Sequence, residues 1–244
     1  MGFWPNGCFE ARHVLVTGGT SGIGAAIAQA FLREGAIVTV TGISQAEADQ
    51  AAKASPGLNA VVLDVRDGAA VNELVSSFGA LHHVVNCAGV IRRGAEHDPE
   101  VFADVLDVNL TGTMRICAAA QPKLKESGGT IVNTASVLSF QGGGLVPGYA
   151  ASKGGISQLT KSLAIAYAPD GIRVNAVAPG WIETPLTAAL REDQARSNAI
   201  LSRTPLGRWG KPEDIAGGVL FLCSPIASFV TGTVLAIDGG YLAS

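Results

Sequence analysis

The chain has 244 residues, 48% of them hydrophobic and only 15% charged, with a formal charge of −3 and no basic run; this argues against nucleic acid or an anionic membrane as partner and for a homo-oligomer that buries surface between subunits. The longest apolar stretch, Ile215 to Cys223, falls short of the ~18 residues a membrane span needs, and residues Met1 to Arg12 show no basic start followed by an apolar run, so a soluble, cytoplasmic protein is expected. Cys8, Cys87, Cys117 and Cys223 are scattered without CxxC spacing, which predicts reduced thiols and no metal site.

Strand and helix signals alternate along the chain without a linker or repeat, which predicts an α/β fold, a doubly wound parallel sheet of the Rossmann type, in a single domain over 1–244. His13 to Thr17 reads as a short buried strand. Gly18-Gly19-Thr20-Ser21-Gly22-Ile23-Gly24 follows at once and leads into the apolar-periodic run Ala25 to Leu32. A glycine turn before a helix lets the backbone approach a ligand, and the helix N-terminus favours a pyrophosphate. The spacing is TGxxxGxG, not the GxGxxG of the common dinucleotide fingerprint. Further strands are expected at Ile37 to Thr41, Ala60 to Leu63, His83 to Asn86, Thr130 to Thr134, Arg173 to Ala178 and Val234 to Ile237, with helices between them. Ligands of such sheets sit beyond the strand carboxyl ends, where the glycine loop, Asn86 to Gly89 and Ser136 converge. Asp64, just past the third strand, either contacts a ligand or caps a helix starting near Asp67.

The chemistry is concentrated in Tyr149-Ala150-Ala151-Ser152-Lys153, preceded by Ser136. A phenol and an ammonium four residues apart share one helix face, and a nearby ammonium favours the phenolate of a group that otherwise titrates near ~10. Such a pair can move a proton while Ser136 holds a substrate oxygen. Taken alone, the pattern more often marks an ordinary surface helix. His13, His82, His83 and His97 share no ligand spacing and are read as structural or surface groups, with His97 alone near a possible substrate pocket.

Thr17-Gly18 with Gly22-Ile23-Gly24, Asn86-Cys87-Ala88-Gly89, Asn109, Ser136, Tyr149 with Lys153, and Pro179-Gly180 come in one order and at separations that resemble the short-chain dehydrogenase/reductase family, from about His13 to the C-terminus. The resemblance implies Tyr149 as general acid in carbonyl reduction and general base in alcohol oxidation. It implies Lys153 as the group that lowers the tyrosine pKa and holds the nicotinamide ribose, Ser136 as the group that orients the carbonyl, and Asn109 at an irregular helix turn supporting a proton relay. It further implies cofactor contacts from Gly18, Thr20, Ser21, Gly22, Ile23, Gly24, Gly42, Asp64, Val65, Asn86, Ala88, Gly89, Tyr149, Lys153, Pro179, Gly180, Ile182 and Thr184, and a substrate lid at about 181–208. Family members are often tetramers; Phe221, Leu222, Phe229 and Val230 suit either an interface or the core. Cys87 departs from the Asn most members carry.

Cofactor and substrate remain to be read from details. An acid after the second strand would bind a ribose 2′-hydroxyl and an arginine a 2′-phosphate, but Thr41-Gly42-Ile43-Ser44 offers neither and the nearest acid is Glu47. Lacking a cation for a second phosphate, the chain is expected to prefer NAD over NADP. Arg92 and Arg93 suggest a carboxylate substrate, or else form a solvated turn. With Gln141, Ser136, Tyr149 and a lid residue Trp181, they make the candidate substrate set. The segments 86–93, 135–143 and 207–210 look like the branch that oxidises 2-deoxy-D-gluconate at C3 or 2-dehydro-3-deoxy-D-gluconate at C5. The alternatives are a 3-oxoacyl thioester reductase using NADPH and, in another class, a non-catalytic dinucleotide-binding redox sensor.

Overall fold

A computed structural model describes residues 7–244, so the N-terminal reading rests in part on residues 1–6, outside those described. The strands are β1 (His13–Thr17), β2 (Ile37–Gly42), β3 (Asn59–Val62), β4 (His83–Asn86), β5 (Thr130–Thr134), β6 (Arg173–Pro179) and β7 (Val234–Ile237). They form one seven-stranded parallel sheet in the order β3-β2-β1-β4-β5-β6-β7. The helices are α1 (Gly22–Arg33), α2 (Gln45–Ala54), α3 (Gly68–Ser77), α4 (Pro99–Leu106), α5 (Gly112–Ser127), α6 (Pro147–Tyr167), α7 (Ala188–Glu192), α8 (Gln194–Ser202) and α9 (Pro212–Cys223). Three strand boundaries differ from expectation by one residue at one or both ends: β2 and β6 each run one residue further, and β3 starts and ends one residue earlier.

Alternate residues of each strand feed opposite layers. Val14 and Val16 pack with Ile27 and Phe31 of α1 and Val219 and Leu222 of α9, whereas Leu15 packs on the other face with Val71 of α3, Ile116 and Leu124 of α5 and Leu163 of α6. Burying each such side chain stabilises by about 1.5–3 kcal/mol, which fixes the sheet between its helix layers. Leu222 is fully buried and Phe221 and Val230 pack against the core, but Phe229 is fully exposed. Three of the four residues thus belong to or pack on the core, and Phe229 lies on the surface.

The chain reverses strand order at β1, between β2 and β4, and the crevice there is the natural ligand site of an open parallel sheet. His83 lies at the opposite, amino end of β4, where burial against Phe31 and Phe9 pushes its imidazole down to about 3, and its Nδ1 meets Thr130 Oγ1. It is a neutral structural residue. Among the described residues no helix is long and apolar enough to cross a membrane.

Candidate active site

A cleft of about 490 Å³ runs along the carboxyl ends of β1, β2 and β4 and reaches into the first turns of α6. Gly18, Thr20, Ser21, Gly22, Ile23 and Gly24 line one part, Gly42, Asp64 and Val65 the next, and Ala88, Gly89, Tyr149, Lys153 and Thr184 the remainder. Gly18 is held at φ +62°, and a Cβ there would lie 2.7 Å from the backbone of Ala88, so only glycine lets the loop close on β4. Ser21 occupies the cap position of α1 but makes no side-chain cap hydrogen bond, unlike Ser44, Asp67, Asp98 and Asp193 at α2, α3, α4 and α8. The first N–H groups of α1 therefore face the cleft without a side-chain acceptor, which fits the pyrophosphate of a dinucleotide.

The proton-handling residues converge through α6. Proline at its first turn pre-forms the helix, and Tyr149 and Lys153 fall one turn apart. The Ser136 side chain favours the ionised form of the Tyr149 phenol, and Lys153 Nζ lies 5.5 Å from the centre of the Tyr149 ring while donating to Thr134 O at 2.6 Å. Burial drives both groups toward their neutral forms: the phenol is pushed above its usual value, opposed by Ser136 and reinforced by the carboxylate of Glu96, and the ammonium falls to about 8. Lys153 Nζ stands over the ring face of Tyr149.

Asn109 sits in a π-helical turn, Asp107–Thr111, between α4 and α5. Its Oδ1 accepts from Val90 N at 2.8 Å, and its Nδ2 donates to Val90 O and to Ser152 Oγ. It clamps the loop after β4 to α6, and a Cβ on Gly89 would approach Asn109 Oδ1 to 3.3 Å. Asn109 does not itself line the cleft.

Several expected contacts fall elsewhere. Asn86 turns its side chain inward, donating to Asn133 Oδ1 at 2.9 Å and to Cys117 Sγ, so it can meet a cofactor only through its backbone. Asp67, not Asp64, caps α3 by accepting from Ala69 and Ala70 N–H. Asp64 lines the cleft but is gripped by Arg66 through Nε and Nη2, which holds its carboxyl below the usual range. Arg66 also lines the cleft and was not foreseen; its guanidinium is spent on Asp64 and Asp104. Pro179 ends β6, and Gly180 is packed so closely that a Cβ would lie 2.7 Å from Asp238. Ile182 is buried in the core. Trp181 does not face the catalytic cleft: its ring packs edge-on against Trp209 and Tyr241 under α7 and α8, beside a separate cavity of about 180 Å³. Arg92 lines the catalytic cleft, whereas Arg93 and Gln141 do not. Neither arginine has an ion-pair partner among the described residues.

Glu96 escaped the sequence reading and is a positioning residue. It is 1% exposed, yet no ion pair holds it among the described residues; Oε1 accepts from Arg92 N and Oε2 from Tyr149 N, both at 2.7 Å. One buried carboxylate thus caps α6 at Tyr149 and fixes the loop that carries Arg92. Glu96→Ala leaves two part-buried N–H groups without their acceptor and is expected to destabilise by about 1–3 kcal/mol. Glu96→Gln, whose amide oxygen can accept from only one of these N–H groups, should cost less than the alanine and shift the alkaline limb of the rate profile to lower pH by removing a negative charge near Tyr149. Thermal melts and pH–rate profiles of the two variants check this.

The enoyl-(acyl carrier protein) reductase family model matches residues 18–242. A 2-dehydro-3-deoxy-D-gluconate 5-dehydrogenase of Pseudoalteromonas atlantica is 40% identical over 96% of each chain, and a 3-oxoacyl-[acyl-carrier-protein] reductase of Thermotoga maritima is 42% identical over 95% of this chain and 98% of its own. The solved structure of a candidate 2-deoxy-D-gluconate 3-dehydrogenase from Agrobacterium tumefaciens, with bound NADP, superposes with a TM-score of 0.89 at 43% identity, covering 98% of this chain and 99% of that one.

Proposed function

Since this chain belongs to the short-chain dehydrogenase/reductase family, we propose that its NAD(P)-dependent oxidoreductase chemistry interconverts a secondary alcohol and a ketone on a sugar acid. The observation that carries this reading is the Tyr149 phenol, held with Lys153 at the end of a cleft that begins at a helix N-terminus without a side-chain cap and has Arg92 on its wall. The dinucleotide supplies or accepts the hydride when bound.

The remaining work falls to the chain's own groups. The Ser136 hydroxyl orients the substrate oxygen, and Tyr149 gives up its phenolic proton to that oxygen in reduction and takes it back in oxidation. Lys153, charged below about pH 8, favours the phenolate that follows donation. Arg92 binds the carboxylate, and residues 181–208 act as a lid in which Thr184 stands 3.4 Å from the position of a Cβ on Gly22 across the cleft. The likeness to curated sugar-acid dehydrogenases supports the substrate class.

A second reading, reduction of a 3-oxoacyl thioester with NADPH, is favoured by the equally close Thermotoga reductase. The test is nicotinamide turnover against 2-deoxy and 2-keto-3-deoxy sugar acids, neutral sugars and a 3-oxoacyl thioester, each with both cofactors. Selective turnover of a sugar acid is expected, with Arg92→Ala raising KM by about tenfold or more and changing kcat little, as loss of a charge-assisted bond made equally in ground and transition states. Turnover of the thioester alone would establish the second reading. Light scattering should find a homotetramer.

A further inference from the structure

We infer that Glu47, on the first turn of α2, takes the place of the missing acid at the end of β2 and makes this protein select a free adenosine 2′-hydroxyl over a 2′-phosphate, that is, NAD over NADP. The inference rests on the dinucleotide reading of the cleft and deepens it.

The sequence places Gly42 at the end of β2, where an acid would be looked for, and Ile43 next to it, where a cation would serve a phosphate. The geometry explains the glycine. Gly42 is not in the left-handed region, so its backbone does not demand it. A Cβ there would instead lie 2.9 Å from Glu47 Oε2 and 2.8 Å from Thr20 Cγ2. The carboxylate of Glu47 therefore occupies the space that a side chain at residue 42 would fill, having arrived from the helix rather than from the strand.

A plain helix cap is the competing explanation, because Ser44 and Glu47 stand in the S-x-x-E spacing of a capping box. In that motif the glutamate returns to the N–H of the cap residue itself. Here it overshoots, accepting from Ile43 N at 3.1 Å and from Thr20 Oγ1 at 3.3 Å, while Ser44 accepts from Glu47 N. Both bonds fall on Oε2 and leave Oε1 to accept from a ligand hydroxyl. Thr20, Gly42, Ile43 and Glu47 all line the cleft, and Thr20 also belongs to the glycine loop.

The charges facing this spot point the same way. Arg66 also lines this cleft, and Asp64 and Asp104 already pair with it. A 2′-phosphate carrying close to two negative charges would meet a carboxylate with no free guanidinium to offset it. A ribose 2′-hydroxyl would donate to that carboxylate. The Agrobacterium structure holds NADP, so this chain is expected to part from it in cofactor choice.

The experiment is a fluorescence titration of NADH and of NADPH with purified full-length protein, without substrate, for the native chain, Glu47→Gln and Glu47→Ala. Glutamine keeps an acceptor for Ile43 N–H and Thr20, so the local fold is retained. The native protein should bind NADH more tightly than NADPH by about tenfold or more, and Glu47→Gln should shrink that ratio by roughly tenfold, mainly through a gain for NADPH. Glu47→Ala should also weaken NADH. An unchanged ratio in Glu47→Gln with binding intact, or native preference for NADPH, overturns the inference and leaves Glu47 a cap. Failure of native protein to bind either dinucleotide overturns it together with the proposed function.

Discussion

Tyr149→Phe is expected to lower kcat by about 10²–10⁴-fold in either direction while leaving the Kd for the dinucleotide within about twofold. The substitution removes one oxygen from a side chain whose ring still packs below Lys153. Ser136 keeps its backbone partner, Leu138 N, at 3.2 Å, so the loop that carries it has no reason to move. What is lost is the phenolic proton that would pass to the substrate oxygen. Because burial and Glu96 raise the phenol above its ordinary value, the native enzyme should reduce ketones at a rate that is flat through neutral pH, whereas alcohol oxidation should rise into the alkaline range as the phenolate forms. Steady-state rates in both directions, with nucleotide fluorescence titration, check the prediction. Undiminished turnover in the variant would remove Tyr149 from the reaction.

Lys153→Met is expected to abolish measurable turnover and at the same time to make the protein harder to unfold. Burial without a carboxylate partner brings the ammonium down to about 8, against an ordinary lysine near ~10.4, and at neutral pH that is a cost on the order of 3 kcal/mol to the folded state. Methionine fills similar volume without charge. The Thr134 carbonyl loses its donor, which costs about 1 kcal/mol, so the net gain is about 2 kcal/mol, or roughly 4–8 °C in Tm for a chain of this size.

The pH dependence separates this from a packing effect. Between pH 8 and about 10.4 the unfolded lysine binds a proton that the folded one has released, so native stability rises with pH across that window. The advantage of the variant should therefore be full below pH 8 and vanish toward pH 10.4. Calorimetry of both proteins without ligand at pH 7 and pH 9.5 measures it; an equal Tm difference at the two pH values would mean that the lysine is not the cause. A residue that costs the fold this much is retained for what it does in the reaction.

The strands and the glycine loop were legible because both are written locally. A buried parallel strand centres on a short apolar run, and β1, β4, β5 and β7 lie within the bounds expected from the sequence. The Tyr149 and Lys153 pair was legible for the same reason: one helical turn joins it. Glu96 was not, because it reaches Tyr149 N across 53 positions, and nothing in a loop glutamate announces a partner that distant. Trp181 misled in the opposite sense, since an aromatic residue after Pro179-Gly180 suits a lid, whereas only the fold brings Trp209 and Tyr241 to receive it. Local pattern likewise predicted an ammonium beside a phenol; the dielectric of their surroundings, which determines what each titrates as, is a property of the assembled layers.

The π-helical turn at Asp107–Thr111 has a consequence for how the gene can vary. One surplus residue in a continuous helical run from Pro99 to Ser127 offsets everything after it by about 100° around the axis relative to what precedes it. Asn109 can thus turn toward Val90 and Ser152 while Ile116, Cys117 and Leu124 still point at the sheet. Deleting a single codon there would restore a regular spiral and bring the two halves out of phase, so that either the clamp or the core is met but not both. Length in this turn is therefore held more tightly than sequence, and natural insertions or deletions should be found on either side of it and not within.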